Sequence, residues 1–373
     1  DVARSDDGGA SWGFAAFAYE SFGGSLIYGK PNQLHPDQHF FTFHPQYNGT
    51  TNQQMFIGND GGIWRSDNAR AQVSTGPTAA CNAANNKVLW TSLNNRYGVT
   101  QFYHGTVYPD GKTYLGGTQD NGTPRGNDTD GPNNWKQIFL ADGGYSAVDF
   151  LNPNTVYVST QGGGFRKSTD GGATFSTVTF GLAGSVAFIT PMAQDPSDPA
   201  RLYTGGSLLF RSDKMTFWNN LGSPQNVSLT TGTLSALAIA PTDANHALFG
   251  LSDGSIVRTT RALALSPLNQ LSSTVEAATR PRTGAVSWVA YDPTDKNIAY
   301  VTYSTFGGSH VWKSTNGGQS WSAIDGSGGT GIPDIPAHCI VVDTSNTARL
   351  YVGTDLGVFV SLDGGATWTV ENT

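Results

Sequence analysis

Four times along the chain a serine is followed, two residues on, by Asp or Asn, then by two glycines, one variable residue, a Ser or Thr and an aromatic ring. The copies run from Ser5 to Trp12, Ser168 to Phe175, Ser314 to Trp321 and Ser361 to Trp368, with worn versions at Asp128 to Trp135, Ser66 to Asn68 and Ser212 to Trp218. The Asp or Asn caps its own turn through backbone amides, the glycines take the positive φ that a tight turn needs, and the aromatic packs back between neighbouring sheets. A chain that repeats this device is built from hairpins of one kind.

Ahead of these motifs stand pairs of short runs rich in β-branched and aromatic residues. They include Ala147 to Pro153 with Thr155 to Ser159, Leu237 to Pro241 with Ala247 to Gly250, Trp288 to Pro293 with Ile298 to Thr302, and Cys339 to Asp343 with Arg349 to Gly353. Such runs read as β-meanders, and no helical period competes. Innermost strands are predicted near residues 39–43, 102–107, 146–150, 188–193, 235–240, 286–291 and 338–342, spaced roughly as propeller blades with insertions are. The expected fold is therefore all-β: a β-propeller of about seven four-stranded blades with Asp-box hairpins, closed so that few sheet edges stay exposed. Residues 33–373 carry the seven blades. Residues 1–32 are expected to be a partial blade, or the remnant of a longer parent, with the segment leading into blade 1. A Rossmann reading of the glycines fails because strands follow strands without an intervening helix.

Composition narrows the partners. Only 13% of residues are charged and the formal net charge is −7, with no dense Arg/Lys tract, which argues against a nucleic-acid surface. No run of 18 apolar residues exists to span a membrane. A surface poor in lysine and rich in Asn, Thr and Gly points to an extracellular or periplasmic protein. Cys81 and Cys339 are too few for a disulfide framework; they fit either one bridge between the first and last blades or two separate thiols.

With the strands of each blade lettered A to D from the centre outwards, the Asp boxes join C to D and share one face. The B–C turns and D–A connections share the other. Polar residues gather on that second face in the first three blades. Blade 1 brings His35, Asp37 and His39 at its lead-in and Asp60 in its B–C turn. Blade 2 brings Arg96, Tyr97 and Tyr103, then Gln119, Asp120, Asn121 and Arg125. Blade 3 brings Asp142, Tyr145 and Gln161. Further round, blade 6 adds Arg282 and the Tyr303 to Gly308 insertion, and blade 7 adds Asp334, His338 and Asp355. A ligand site at the channel mouth, offset towards blades 1 to 3, is the expectation. Imidazole and carboxylate at 35, 37 and 39 suit several divalent ions, although their spacing matches no zinc signature and histidines bonded to adjacent turns fit equally. A structural divalent cation such as calcium, held by Asp37, Asp60 or Asp120 with amide carbonyls, is compatible with the site.

The motifs resemble the Asp-box, or BNR-repeat, superfamily. The runs His35 to His39, Gly58 to Gly62, Thr100 to Tyr103 and Gly116 to Thr123 are similar to those of bacterial exported sortilin-like and glycosyl-hydrolase-like proteins. More distantly, Tyr351 to Gly357 with Asp355, and Asp60 to Gly62, resemble the Asp-x-Gly-Gly catalytic turns of family 74 xyloglucanases. In those enzymes two propellers face each other across a cleft, so the resemblance implies another propeller or domain in a longer parent chain. The arginine triad of sialidases is not reproduced by Arg96, Arg125 and Arg282.

Two functions follow. The first is a secreted, polysaccharide-active glycoside hydrolase, in which Asp60 and Asp120 serve as the carboxyl pair, roughly 5 to 9.5 Å apart, with Asp142 as alternate member. His39, Gln119 and Arg125 would bind sugar hydroxyls, and Tyr97, Tyr103 and Tyr145 would stack on sugar faces. His35, Asp37, Asn121, Gln161, Arg282 and Asp355 complete the ligand-binding set. The second is a non-catalytic module that binds an oligosaccharide, a polysaccharide or an extended peptide at the same rim.

Overall fold

A computed structural model of the chain describes residues 1–18, 20–22, 25–27, 32–75, 86–94, 100–214, 218–222, 232–264 and 275–371, with backbone alone for 20–22, 25–27, 219–222, 264 and 275–278. The described chain is all-β apart from short 3-10 turns, and its strands pair antiparallel in sequence order. Contacts divide it into two compact units, Asp1–Gln101 and Phe102–Thr373.

The second unit holds six consecutive four-stranded sheets, blades 2 to 7, each a simple meander. Their A strands are Phe102–Val107, Gly143–Val148, Met192–Asp195, Leu234–Ile239, Val286–Tyr291 and Ala337–Val342. The first unit holds blade 1, whose strands are Gln38–Phe43, Met55–Asn59, Gly62–Ser66 and Thr91–Ser92, together with two two-stranded hairpins. These A strands follow the sequence prediction closely, with two displacements. In blade 4 the strand starts after Pro191, which has no N–H to give a ladder. In blade 3 it starts earlier, at Gly143, because a bulge carries it through two glycines.

Sheets stacked face to face explain the residue pattern. Strand B is covered on both sides, so Val156–Thr160, Ala247–Leu251 and Ala299–Tyr303 are buried at every position. Apolar clusters accordingly lie between consecutive sheets. Tyr203 and Leu209 of blade 4 join Leu234 and Phe249 of blade 5, and Ala236 and Leu248 of blade 5 join Val286 and Val301 of blade 6. Trp218, 1% exposed, lies against Phe165 of the previous blade at 5.2 Å and donates its Nε1–H to Val178 O at 2.7 Å.

The Asp boxes behave as the sequence predicts. In blade 3, Gly172 N–H donates to Ser168 Oγ at 2.8 Å and Thr174 N–H to Asp170 Oδ1 at 2.9 Å, while Gly171 and Gly172 take φ of 72° and 87°. Blade 7 repeats the arrangement with Ser361, Asp363 and Thr367, and blade 6 does so with Asn316 in place of the acid. The copy at Ser5 closes the hairpin of Val2–Arg4 with Gly13–Ala16. Hydrogen bonds from Ser11 and Thr367 hold the Asp7 and Asp363 carboxyls down to about 2. Because each box joins strand C to strand D, the B–C turns emerge at the opposite end of the sheet. Among the described residues, no helix is long and apolar enough to cross a membrane.

Candidate functional site

One backbone device recurs at the start of strand A and decides which side chains reach the B–C turn. The A–B ladder slips there, so that His39, Tyr103, Ser235, Ser287 and His338 are extra residues with no opposite number on strand B. A bulge of this kind re-aims its side chain. In blades 5 and 6 the bulged residue is a serine that stitches one sheet to the next: Ser235 donates to Val286 O at 2.7 Å and Ser287 to Ala337 O at 2.6 Å. In blades 1 and 7 it is a histidine that meets the carboxylate of its own B–C turn. His338 Nε2 lies 2.7 Å from Asp355 Oδ1, and His39 Nε2 pairs with Asp60 Oδ1. The His39 pKa is raised, first by the Asp60 hydrogen bond, then by that carboxylate's charge and less by Asp37.

In the first unit, carboxylate oxygens of Asp37 and Asp60 lie within 4.8 Å of each other, close enough to share a divalent cation. The turn that carries Asp60 is clamped from several sides. Asn59 Nδ2 donates to His35 O at 3.3 Å, Gly61 N–H donates to Asn59 Oδ1 at 3.0 Å, and Ile63 N–H donates to Asn94 Oδ1 at 2.8 Å. Gly61 has to lack a side chain, since a Cβ there would sit 2.5 Å from Cβ of His35.

In the second unit, Asp120 takes a left-handed φ of 58° and donates its N–H to Asp142 Oδ1 at 2.9 Å, so blade 3 holds the B–C turn of blade 2. Asn121 folds back on Gln119, its N–H donating to Gln119 O at 2.7 Å, and Gln137 Nε2 donates to Asn121 O at 2.8 Å. Gln161 N–H donates to Asp142 O at 3.2 Å, which brings the blade 3 turn to the same corner. Tyr103 stands beside this group; partial burial raises its pKa, and the Asp142 and Asp120 charges add to the effect. Asp120, Asn121, Asp142, Gln161 and Tyr103 thus gather at one corner of blades 2 and 3.

Other sequence candidates have different surroundings. Arg125 donates from Nη1 to Gly171 O, so its guanidinium lies at the Asp-box end of blade 3. Arg282 donates to the carbonyls of Thr305, Phe306 and Ser309 and lies 5.4 Å from the Tyr303 ring, which ties it to the blade 6 insertion. Tyr145 stacks on His104 at 4.4 Å among the A strands, and burial pushes its hydroxyl up to about 12. Asp334 accepts from Gly307 N–H and pairs with the buried His310, each at 2.8 Å. Tyr97, Arg96 and Cys81 lie outside the described residues, and the Cys339 thiol is free and pushed up by burial. Two residues absent from the sequence-derived ligand set, His104 and Trp288, prove to line a cavity with Tyr145. Their alternation along strand A marked them as strand residues but carried no sign of which side would be hollow.

No family model matches the chain. Among curated proteins it is 25% identical over 239 residues to a xyloglucanase of Hypocrea jecorina (strain QM6a), a stretch that covers 53% of this chain. The match spans only 28% of that relative's length. Among solved structures it is similar to YCF48 from Cyanidioschyzon merolae, with a TM-score of 0.51 and 15% identity over 87% of this chain and 94% of that one. A structure of YCF48 bound to D1 peptide is similar at a TM-score of 0.50 and 12% identity, covering 91% of this chain and 94% of the other. The fold is a β-propeller whose sheets carry Asp-box hairpins. The likeness to YCF48 is one of fold.

Proposed function

We propose that this chain is a non-catalytic binding propeller that takes an extended peptide or a glycan segment across the B–C turns, with the corner of blades 2 and 3 as its anchor. The observation that supports this most is the use made of the carboxylates. Asp142 holds the Asp120 turn through a backbone N–H and Asp60 holds His39, so both acids act as fixed acceptors within a pre-formed polar surface. Such preorganisation favours recognition because little ordering remains to be done on binding. The exposed amides of Gln119 and Gln161 suit either a peptide backbone or sugar hydroxyls, with the half-buried Asn121 beside them. The peptide in the structure of the similar YCF48 supports the first ligand class, and the likeness to a xyloglucanase supports the second.

That second likeness also favours one further reading, a glycoside hydrolase built on Asp60, Asp120 and Asp142. Within either reading an extracellular or periplasmic location suits the composition, and a calcium ion on Asp37 and Asp60 stiffens the blade 1 turn. Peptide and oligosaccharide arrays, followed by mass spectrometry of the incubated ligands, separate the two functions. Retention of one ligand class without new products, weakened at least tenfold by Asp142→Ala, is the expected result. Product formation that disappears in Asp120→Asn would replace the binding module with the hydrolase.

A further inference from the structure

The A strands of blades 2 to 6 line a half-open cavity of about 210 Å³, whose walls include His104, Tyr145, Met192, Gln194, Leu237 and Trp288. Its lining comes from strands, so it is separate from the B–C turns and nothing about it depends on the rim function. Three of its rings lie almost parallel. His104 and Tyr145 are 4.4 Å apart at 28°, His104 and Trp288 5.8 Å at 24°, and Tyr145 and Trp288 6.4 Å at 11°. Parallel rings whose centres are 4.4 Å apart overlap face over face, so His104 lies over Tyr145 in a stack of aromatic rings that forms one apolar side of the cavity.

The polar character of the cavity is as specific. Among the described residues no Asp, Glu, Lys or Arg lines it, so a charged ligand would give up part of its water with no counter-charge in return. Burial takes the His104 pKa down to about 4, so the imidazole is neutral at ordinary pH. Its Nδ1 is closed off without a hydrogen-bond partner, which leaves Nε2 as the ring nitrogen that an occupant of the cavity can reach. A neutral imidazole offers either a donor or an acceptor there, depending on tautomer, and a hydroxyl group answers both. The carboxamide of Gln194, anchored through Nε2 to Pro199 O at 2.8 Å, adds a second fixed polar group. The volume is below the roughly 300–1,000 Å³ of pockets for drug-sized ligands and suits one ring.

We propose that this cavity is a second binding site, for a single neutral six-membered ring bearing a hydroxyl, which packs beside the stack of His104, Tyr145 and Trp288 with its hydroxyl in the imidazole plane on His104 Nε2. A pyranose and a phenol share that chemistry. The test is calorimetric titration of the whole chain with methyl α-glucopyranoside and with p-cresol, beside their charged counterparts glucuronate and 4-hydroxybenzoate. One neutral probe binds, and its charged counterpart binds at least tenfold more weakly; which neutral probe it is assigns the source as sugar or phenol. His104→Phe keeps the stack and removes the nitrogen, and weakens binding at least tenfold. Should that variant not fold, Ala193→Leu fills the cavity from its wall and abolishes binding. The proposal is overturned if neither neutral probe binds, if the charged probes bind as well, or if the folded variants bind like the parent.

Discussion

Blades 2 and 3 meet backbone to backbone, and that contact supports the corner on which the proposed binding surface rests. A Cβ at Gly117 would sit 1.9 Å from Gly144 O and 2.5 Å from Gly144 N. Both are main-chain atoms, so no side-chain rotation relieves the clash, and Gly117→Ala forces the two sheets apart locally. Overpacking of this type costs about 1–3 kcal/mol. Gly105, on the A strand of the same blade, provides the matched control, since a Cβ there meets nothing within 4 Å. Gly105→Ala removes the entropy cost of a glycine within a strand and gains about 0.5–1 kcal/mol. The two variants should therefore differ by roughly 1.5–4 kcal/mol. At about 2.1 cal/mol/K per residue the 373-residue chain shifts by roughly 1.3 °C per kcal/mol, so Gly117→Ala melts about 2–5 °C below Gly105→Ala in scanning calorimetry. Because Asp120 and Asp142 lie just beyond the forced contact, Gly117→Ala also weakens rim binding. Equal melting of the two variants, or a more stable Gly117→Ala, would refute the close approach and with it the support assigned to the corner.

Three other outcomes follow from the geometry. The Asp363 carboxyl is held at about 2, below its unfolded value of about 3.9, so the stability it lends is complete above about pH 4 and disappears as pH falls towards 2. Asp363→Asn, which copies the Asn316 box, should melt with a shallower dependence on acid over that window; parallel curves for parent and variant would contradict this. Trp218→Ala removes a buried indole and leaves Val178 O without its donor, costing about 3–5 kcal/mol in a denaturant titration, and a loss below about 1 kcal/mol would mean that blades 3 and 4 do not pack as described. Calcium should raise the melting midpoint and a chelator lower it, with the difference absent in Asp37→Asn; midpoints unmoved by either would remove the cation from blade 1.

Much of the fold is legible in the sequence because its signals are local. An Asp box closes on itself through hydrogen bonds spanning four residues, as from Gly172 N–H to Ser168 Oγ, and needs no distant partner to be recognised. Strand B announces itself by continuous apolar runs such as Ala247–Leu251, buried from both sides. The side chains that meet are harder to read. Whether His338 faces Asp355 depends on a one-residue slip between two strands, and the slip leaves no mark in the residue types around it. Arg125 follows the blade 2 turn in sequence, yet its long side chain runs along strand C to an Asp-box carbonyl of the next blade. His104 and Tyr145 come from different blades, and only the stacking of sheets brings their rings together. Distances between blades are set by tertiary packing, which a pattern of strands and turns constrains only loosely.

The account stands most directly on which end of the sheets takes the ligand, and hydrogen-exchange mass spectrometry of the chain with and without an array-selected ligand reads that. Slowed exchange is expected in Gly116 to Asn121 and Ala141 to Tyr145, with the hairpins from Ser168 to Phe175, Ser314 to Trp321 and Ser361 to Trp368 exchanging as they do in the free chain. Protection confined to those hairpins would place recognition at the Asp-box end and contradict the assignment.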